Sequence, residues 1–186
     1  MSGPPELLGD LQPTHRRLAT LGVLSVVWAG GYSAAMPIPG LDDAGLLPPG
    51  VHDCTLEEVR RCFGVFQTTD RRPTLYDKLQ ALVREAWATG LVAEIIIDGS
   101  FVTAKPDPND IDLILVINAG HDFSAELRPF EYNVLSKRQA RRIYGFDLLV
   151  APQASAVYAE YLAFFAQVRG ETSRRKGLLR LRHDQK

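Results

Sequence analysis

The sequence predicts a mixed α/β (α+β) domain in which a small mixed sheet of four or five strands carries helices mostly on one face. Three observations predict it. Short β-branched runs, Glu94–Asp98 and Asp110–Ile117, read as buried strands. The segment Arg72–Thr89 keeps apolar residues at helical spacing. Across the chain the order is helix, strand, strand, helix, strand, helix, strand, with connections too short for a regularly alternating parallel sheet.

The elements follow in order. Leu46-Leu47-Pro48-Pro49-Gly50 is a turn-rich lead-in. Thr55-Leu56-Glu57-Glu58 has the form of a capping box and starts a short helix that ends by Gly64. Leu75, Leu79, Leu82, Val83 and Ala86 line one face of the next helix, and Gly90 supplies its stop. A single helix is expected over about residues 124–142 and a third strand over Phe146–Val150. Val157, Tyr161, Phe164, Phe165 and Val168 keep helical spacing, and Leu178–Arg182 is the last strand. Tyr158, Tyr161, Phe164 and Phe165 are expected in the core rather than stacked on bases.

Composition bounds the rest. The 186 residues are 46% apolar and 23% charged, ordinary for one globular domain. That excludes a wholly disordered chain, a collagen-like chain and a disulfide scaffold. The net charge of -1 carries no global basic field and no DNA-specific signal. Cys54 and Cys62 read as two reduced thiols of a cytoplasmic protein, and with His52 they lack the fourth ligand of a zinc site.

Residues 1–35 form an apolar leader before a domain at 36–186. Leu18–Leu41 is uncharged and follows His15, Arg16 and Arg17, and Ser33-Ala34-Ala35 closes the apolar run. Three readings stand side by side: a dispensable or misassigned leader with the true start at Met36, an export signal, and a membrane anchor. The first, with cytoplasmic placement, is the expectation.

The chemistry concentrates in Asp98–Asp112. Gly99 allows close approach to the backbone, and Ser100 offers a hydroxyl and an amide to an anion. Nine residues after Ser100, Asp110 and Asp112 sit two apart at the head of a strand, so both carboxylates point to one face. Like charges so placed suit a hard cation such as Mg²⁺ shared with substrate phosphates. Asp147 stands among strand residues and is explicable as a third ligand of a two-metal site. The plainer reading is a turn in which Asn109 and Asp110 only bend the chain.

Gly99-Ser100, the Asp110-x-Asp112 pair and Asp147 together resemble the nucleotidyltransferase superfamily with the DNA polymerase beta-like fold. The flanks are similar to an uncharacterised bacterial branch. It has a Leu-Pro-Pro-Gly-x-His lead-in, here Leu47–His52, and a Gly-Ser-Phe-Val-Thr-x-Lys core with Pro-Asn-Asp-x-Asp, here Gly99–Asp112. Its Lys-Gly-Leu-Leu motif is here Lys176–Leu179. The resemblance implies Gly99, Ser100 and Lys105 as nucleotide-phosphate contacts, Asp110 and Asp112 as metal ligands, and Asp147 as the carboxylate that aligns or deprotonates the acceptor.

Minimal nucleotidyltransferases of toxin–antitoxin pairs have an Arg-x-Arg-Gly-like stretch after Gly-Ser. This chain has Phe101-Val102-Thr103-Ala104-Lys105 there. The expected activity is Mg²⁺-dependent transfer of a nucleoside monophosphate from an NTP to a hydroxyl on a protein, an RNA or a small molecule. The alternative is a binding module of the same fold, such as an antitoxin or regulatory partner.

Two basic stretches remain. Lys137, Arg138, Arg141 and Arg142 read as a solvated face near a helix C-terminus, or else as a contact to nucleotide phosphates or a polyanionic acceptor. Residues 169–186 carry seven Lys and Arg against two acids. There Arg174, Arg175 and Lys176 are candidates to close over a triphosphate or guide RNA, and a solvated tail is the alternative.

Overall fold

The structure, a computed structural model, describes residues 38–183. The leader, residues 1–35, and the start at Met36 lie outside them. Five strands form one mixed sheet: β1 (Gly50–Asp53), β2 (Val92–Asp98), β3 (Asp112–Ile117), β4 (Asp147–Pro152) and β7 (Gly177–Arg182). Their spatial order is β1-β7-β2-β3-β4. The outer pairs β1–β7 and β3–β4 are parallel, and the inner pairs β7–β2 and β2–β3 are antiparallel.

Helix α1 (Leu56–Phe63) starts at the expected capping box, with Glu58 N donating to Thr55 Oγ1 and Thr55 N to Glu58 Oε2. Helix α2 (Arg71–Ala88) buries all five residues of its predicted stripe. These two helices, with α3 (Pro129–Leu135) and α4 (Lys137–Ile143), cover the sheet face that presents Ile95, Ile97, Leu113 and Leu115. The opposite face presents Ile96, Ile114 and Val116 to α5 (Ala156–Phe165). Alternation along β2 and β3 produces these two faces.

Four expectations need correction. The single helix over 124–142 is two helices meeting at Ser136, which ends α3 and caps α4 by accepting from Gln139 N at 3.4 Å. The third strand, β3, begins at Asp112, not Asp110, because the two preceding residues are held in the turn described below. The lead-in contains a strand: β1 pairs with β7 from Gly50↔Gly177 to Asp53↔Arg180. The helix expected to run through Val168 stops at Phe165, and Phe164 is 65% exposed instead of lying in the core.

Beyond α5 the chain forms a two-stranded hairpin, β5 (Gln167–Val168) and β6 (Glu171–Arg175), before entering β7. The C-terminal segment through Arg182 is therefore sheet, and its basic residues are not a solvated tail. Among the described residues no helix is long and apolar enough to cross a membrane.

Candidate active site

The site lies where β2 ends and β3 and β4 begin. Register brings Asp98 opposite Asp112, and Asp112 opposite Asp147, so three carboxylates form a row across three adjacent strands. By strand alternation the row shares the face of Ile96 and Ile114. Burial falls along it: Asp98 is buried, Asp112 half-buried and Asp147 exposed.

Asp110 joins the row from the turn before β3. Gly99 has φ +92°, and a Cβ there would lie 2.9 Å from both Asp110 O and Asp112 N. Only glycine lets the two strand ends approach this closely. Ser100 Oγ and N donate to Asp110 Oδ1 at 2.7 and 3.0 Å, while Ser100 Oγ accepts from Asn109 N at 2.8 Å. The predicted phosphate contacts of Ser100 are thus engaged by Asp110. The turn reading and the site reading describe the same residues: Asp110 ties the turn, and the turn aims Asp110.

Each acid is balanced differently. Lys176 Nζ lies 2.6 Å from both oxygens of Asp98. Burial pushes the Asp98 carboxyl up, and the Lys176 charge opposes it. Arg141 lies 3.3 Å from Asp147. Burial also pushes Asp110 up, but the Ser100 amide and hydroxyl, followed by Lys105 and Arg169, hold it below its ordinary value.

Asp112 has no ion-pair partner among the described residues. Burial, reinforced by Asp110, Asp98 and Asp147, pushes its carboxyl up to about 6. One carboxylate therefore stands uncompensated among three others. Oxygen donors in that state suit a hard divalent cation. Among the described residues, no three His, Cys, Asp or Glu side chains are already gathered into a metal cage.

The segment after Gly99-Ser100 is held from behind by α2. Arg72 is 1% exposed, and its guanidinium donates to four carbonyls, those of Phe63, Phe101, Thr103 and Lys105, at 2.6–3.1 Å. Arg71 donates to Pro108 O at 3.0 Å and to Asn109 O. Neither arginine was singled out from the sequence. Their position in the first turn of a helix gave no sign that they would bind a loop about thirty residues away.

The other basic candidates are spoken for. Arg174 pairs with Asp42, Arg175 donates to Ala163 O, and Lys176 pairs with Asp98. This corrects their assignment as free charges closing over a triphosphate. Lys137, Arg138, Arg141 and Arg142 are all exposed on α4, and Arg141 brings that helix to Asp147. Cys54 and Cys62 are free thiols.

The two flanking motifs meet in the fold. Gly177 N donates to Leu47 O at 2.9 Å, His52 Nε2 lies 2.8 Å from Pro48 O, and a Cβ on Gly177 would lie 2.2 Å from Pro48 O. Lead-in, turn and C-terminal motif are thus one connected framework around the acid row. No curated protein and no solved structure matches the chain. The model of one family matches residues 39–182, which spans the whole framework, and the chain belongs to that family, the family of unknown function DUF6932.

Proposed function

We propose that this protein is a Mg²⁺-dependent nucleotidyltransferase that moves a nucleoside monophosphate from an NTP to an acceptor hydroxyl. The observation that carries the reading is the row of Asp98, Asp112 and Asp147 beside the Gly99–Asp110 turn, with Asp112 alone uncompensated. Asp110, Asp112 and Asp147 would hold the ions. Bound Mg²⁺ supplies charge neutralisation and Lewis acidity at the phosphates.

The chain's own groups do the remaining work. Gly99 leaves room for the triphosphate at the backbone, and Ser100 and Lys105 bind it. Asp147, the most exposed acid, aligns the acceptor hydroxyl and takes its proton. The acceptor oxygen bonds to the α-phosphorus. The bond from that phosphorus to the bridging oxygen breaks, and pyrophosphate leaves with the electron pair. Release of Arg141 from Asp147 costs little, since both side chains are exposed.

The test uses the full chain, each of the four NTPs labelled at the α-phosphate, and protein and RNA from the host as acceptors. Label transfer with equimolar pyrophosphate release, lost in Asp110→Asn and Asp112→Asn, is the expected result. Nucleotide binding without transfer to protein, RNA or small-molecule acceptors would replace this reading with that of a binding module.

A further inference from the structure

The β5–β6 hairpin leaves the sheet at the end where the acids lie. Its base is fixed on several sides. Lys176, the residue after β6, donates through Nζ to Asp98 and through its amide to Ala166 O at 2.8 Å. Arg175 Nη1 donates to Ala163 O and Arg174 Nη2 to Asp42 Oδ2, each at 3.0 Å. A hairpin so anchored is a rigid arm whose tip position is set by the active-site end of the sheet.

Three of the cations at 169–176 are thus engaged with protein groups. The fourth, Arg169, sits in the two-residue turn with Gly170, whose φ is +86°. It is exposed and has no ion-pair partner among the described residues. On the other side of the site Lys105 is exposed too, at the end of the loop that Arg72 holds through the Lys105 carbonyl. The chain thus brings two free cations, 64 residues apart in sequence, to the turn that holds Asp110. The charges of both are felt by the Asp110 carboxyl.

We propose that Arg169 and Lys105 are the two sides of an anion clamp that grips the β- and γ-phosphates of an NTP beside Ser100. The assignment rests on the nucleotidyltransferase reading and deepens it. It supplies, from a distant hairpin, the guanidinium that the segment after Gly-Ser lacks. A planar guanidinium can hold phosphate oxygens through two parallel hydrogen bonds, which a carboxylate-free tip leaves available. The clamp therefore reads the number of phosphates and not the base. Its place next to Asp110, and not beside Asp147, assigns it to the triphosphate and not to the acceptor.

The test is calorimetric titration of the full chain with ATP and with AMP in Mg²⁺, for wild type, Arg169→Ala, Arg169→Lys and Arg182→Ala. Circular dichroism verifies that each variant is folded. Arg182→Ala removes an equal charge at the far end of β7, where it pairs with Asp53. Arg169→Ala is expected to weaken ATP binding by roughly tenfold and AMP binding by less than about twofold. Arg169→Lys recovers part of the loss, and Arg182→Ala matches wild type. Equal losses for ATP and AMP in Arg169→Ala, or unchanged ATP affinity, would overturn the clamp while leaving the nucleotide site standing. Wild type that binds neither nucleotide would overturn the nucleotidyltransferase reading and the clamp with it.

Discussion

Asp112 shows in one residue how function and stability oppose each other. Its carboxyl is pushed from 3.8 to about 6, by burial first and by Asp110, Asp98 and Asp147 after it. Between those values the native state binds more protons than the unfolded state. The contribution of this group to stability is therefore present at acid pH and is lost as pH rises through about 6. Asp53 and Asp110, held below their ordinary values, work in the opposite direction, so wild type and variant must be compared at each pH. In EDTA at about pH 7.5, Asp112→Asn is expected to stabilise the protein by about 1 kcal/mol, after a discount for its partial exposure. At about pH 5 the gain shrinks. Thermal melts of the pair at both pH values measure this, and a variant that melts below wild type at the higher pH contradicts the crowding. The Asp-x-Asp pair was legible because both acids belong to one turn. Its strand register was not, since Ser100 holds Asp110 in the turn and delays the strand to Asp112.

Helix α2 was the most legible element, because five apolar residues at a 3.6-residue period must face a core. What the period did not reveal is the work of its first turn. Arg72 satisfies four carbonyls and is itself buried, so Arg72→Met would leave those carbonyls without a donor. The expected cost is about 3 kcal/mol, against less than about 1 for Arg71→Ala at the rim. Urea midpoints measure both, and equal midpoints for the two variants contradict the assignment. The break at Ser136 did have a signal: Ser136-Lys137-Arg138-Gln139 is itself a capping sequence inside a predicted helix. The β5–β6 hairpin had none. Its two-residue first strand is too short for any alternation, and it forms because Lys176 and Arg175 anchor the chain that follows.

Over the whole molecule, the sheet joins parts of the sequence that pattern reading treats separately. Gly50–Asp53 shows no strand pattern, and becomes β1 only because β7, about 127 residues later, offers it a parallel edge. The lead-in and the Lys176–Leu179 motif looked like two distant signatures and are one contact, closed at Gly177. The negative half of the candidate site was legible because its acids lie in or beside strands. The positive half was not, because Lys176, Arg169 and Arg141 reach it from a strand junction, a hairpin tip and a short helix. The central claim is that these acids form a metal-dependent nucleotide site. Calorimetric titration of the full chain with the four NTPs, with and without Mg²⁺, tests it directly, alongside a folded Asp110→Asn/Asp112→Asn variant. The account predicts binding that requires Mg²⁺ and disappears in the variant. No binding to any NTP by the folded wild type, or Mg²⁺-dependent binding that survives both substitutions, would contradict it.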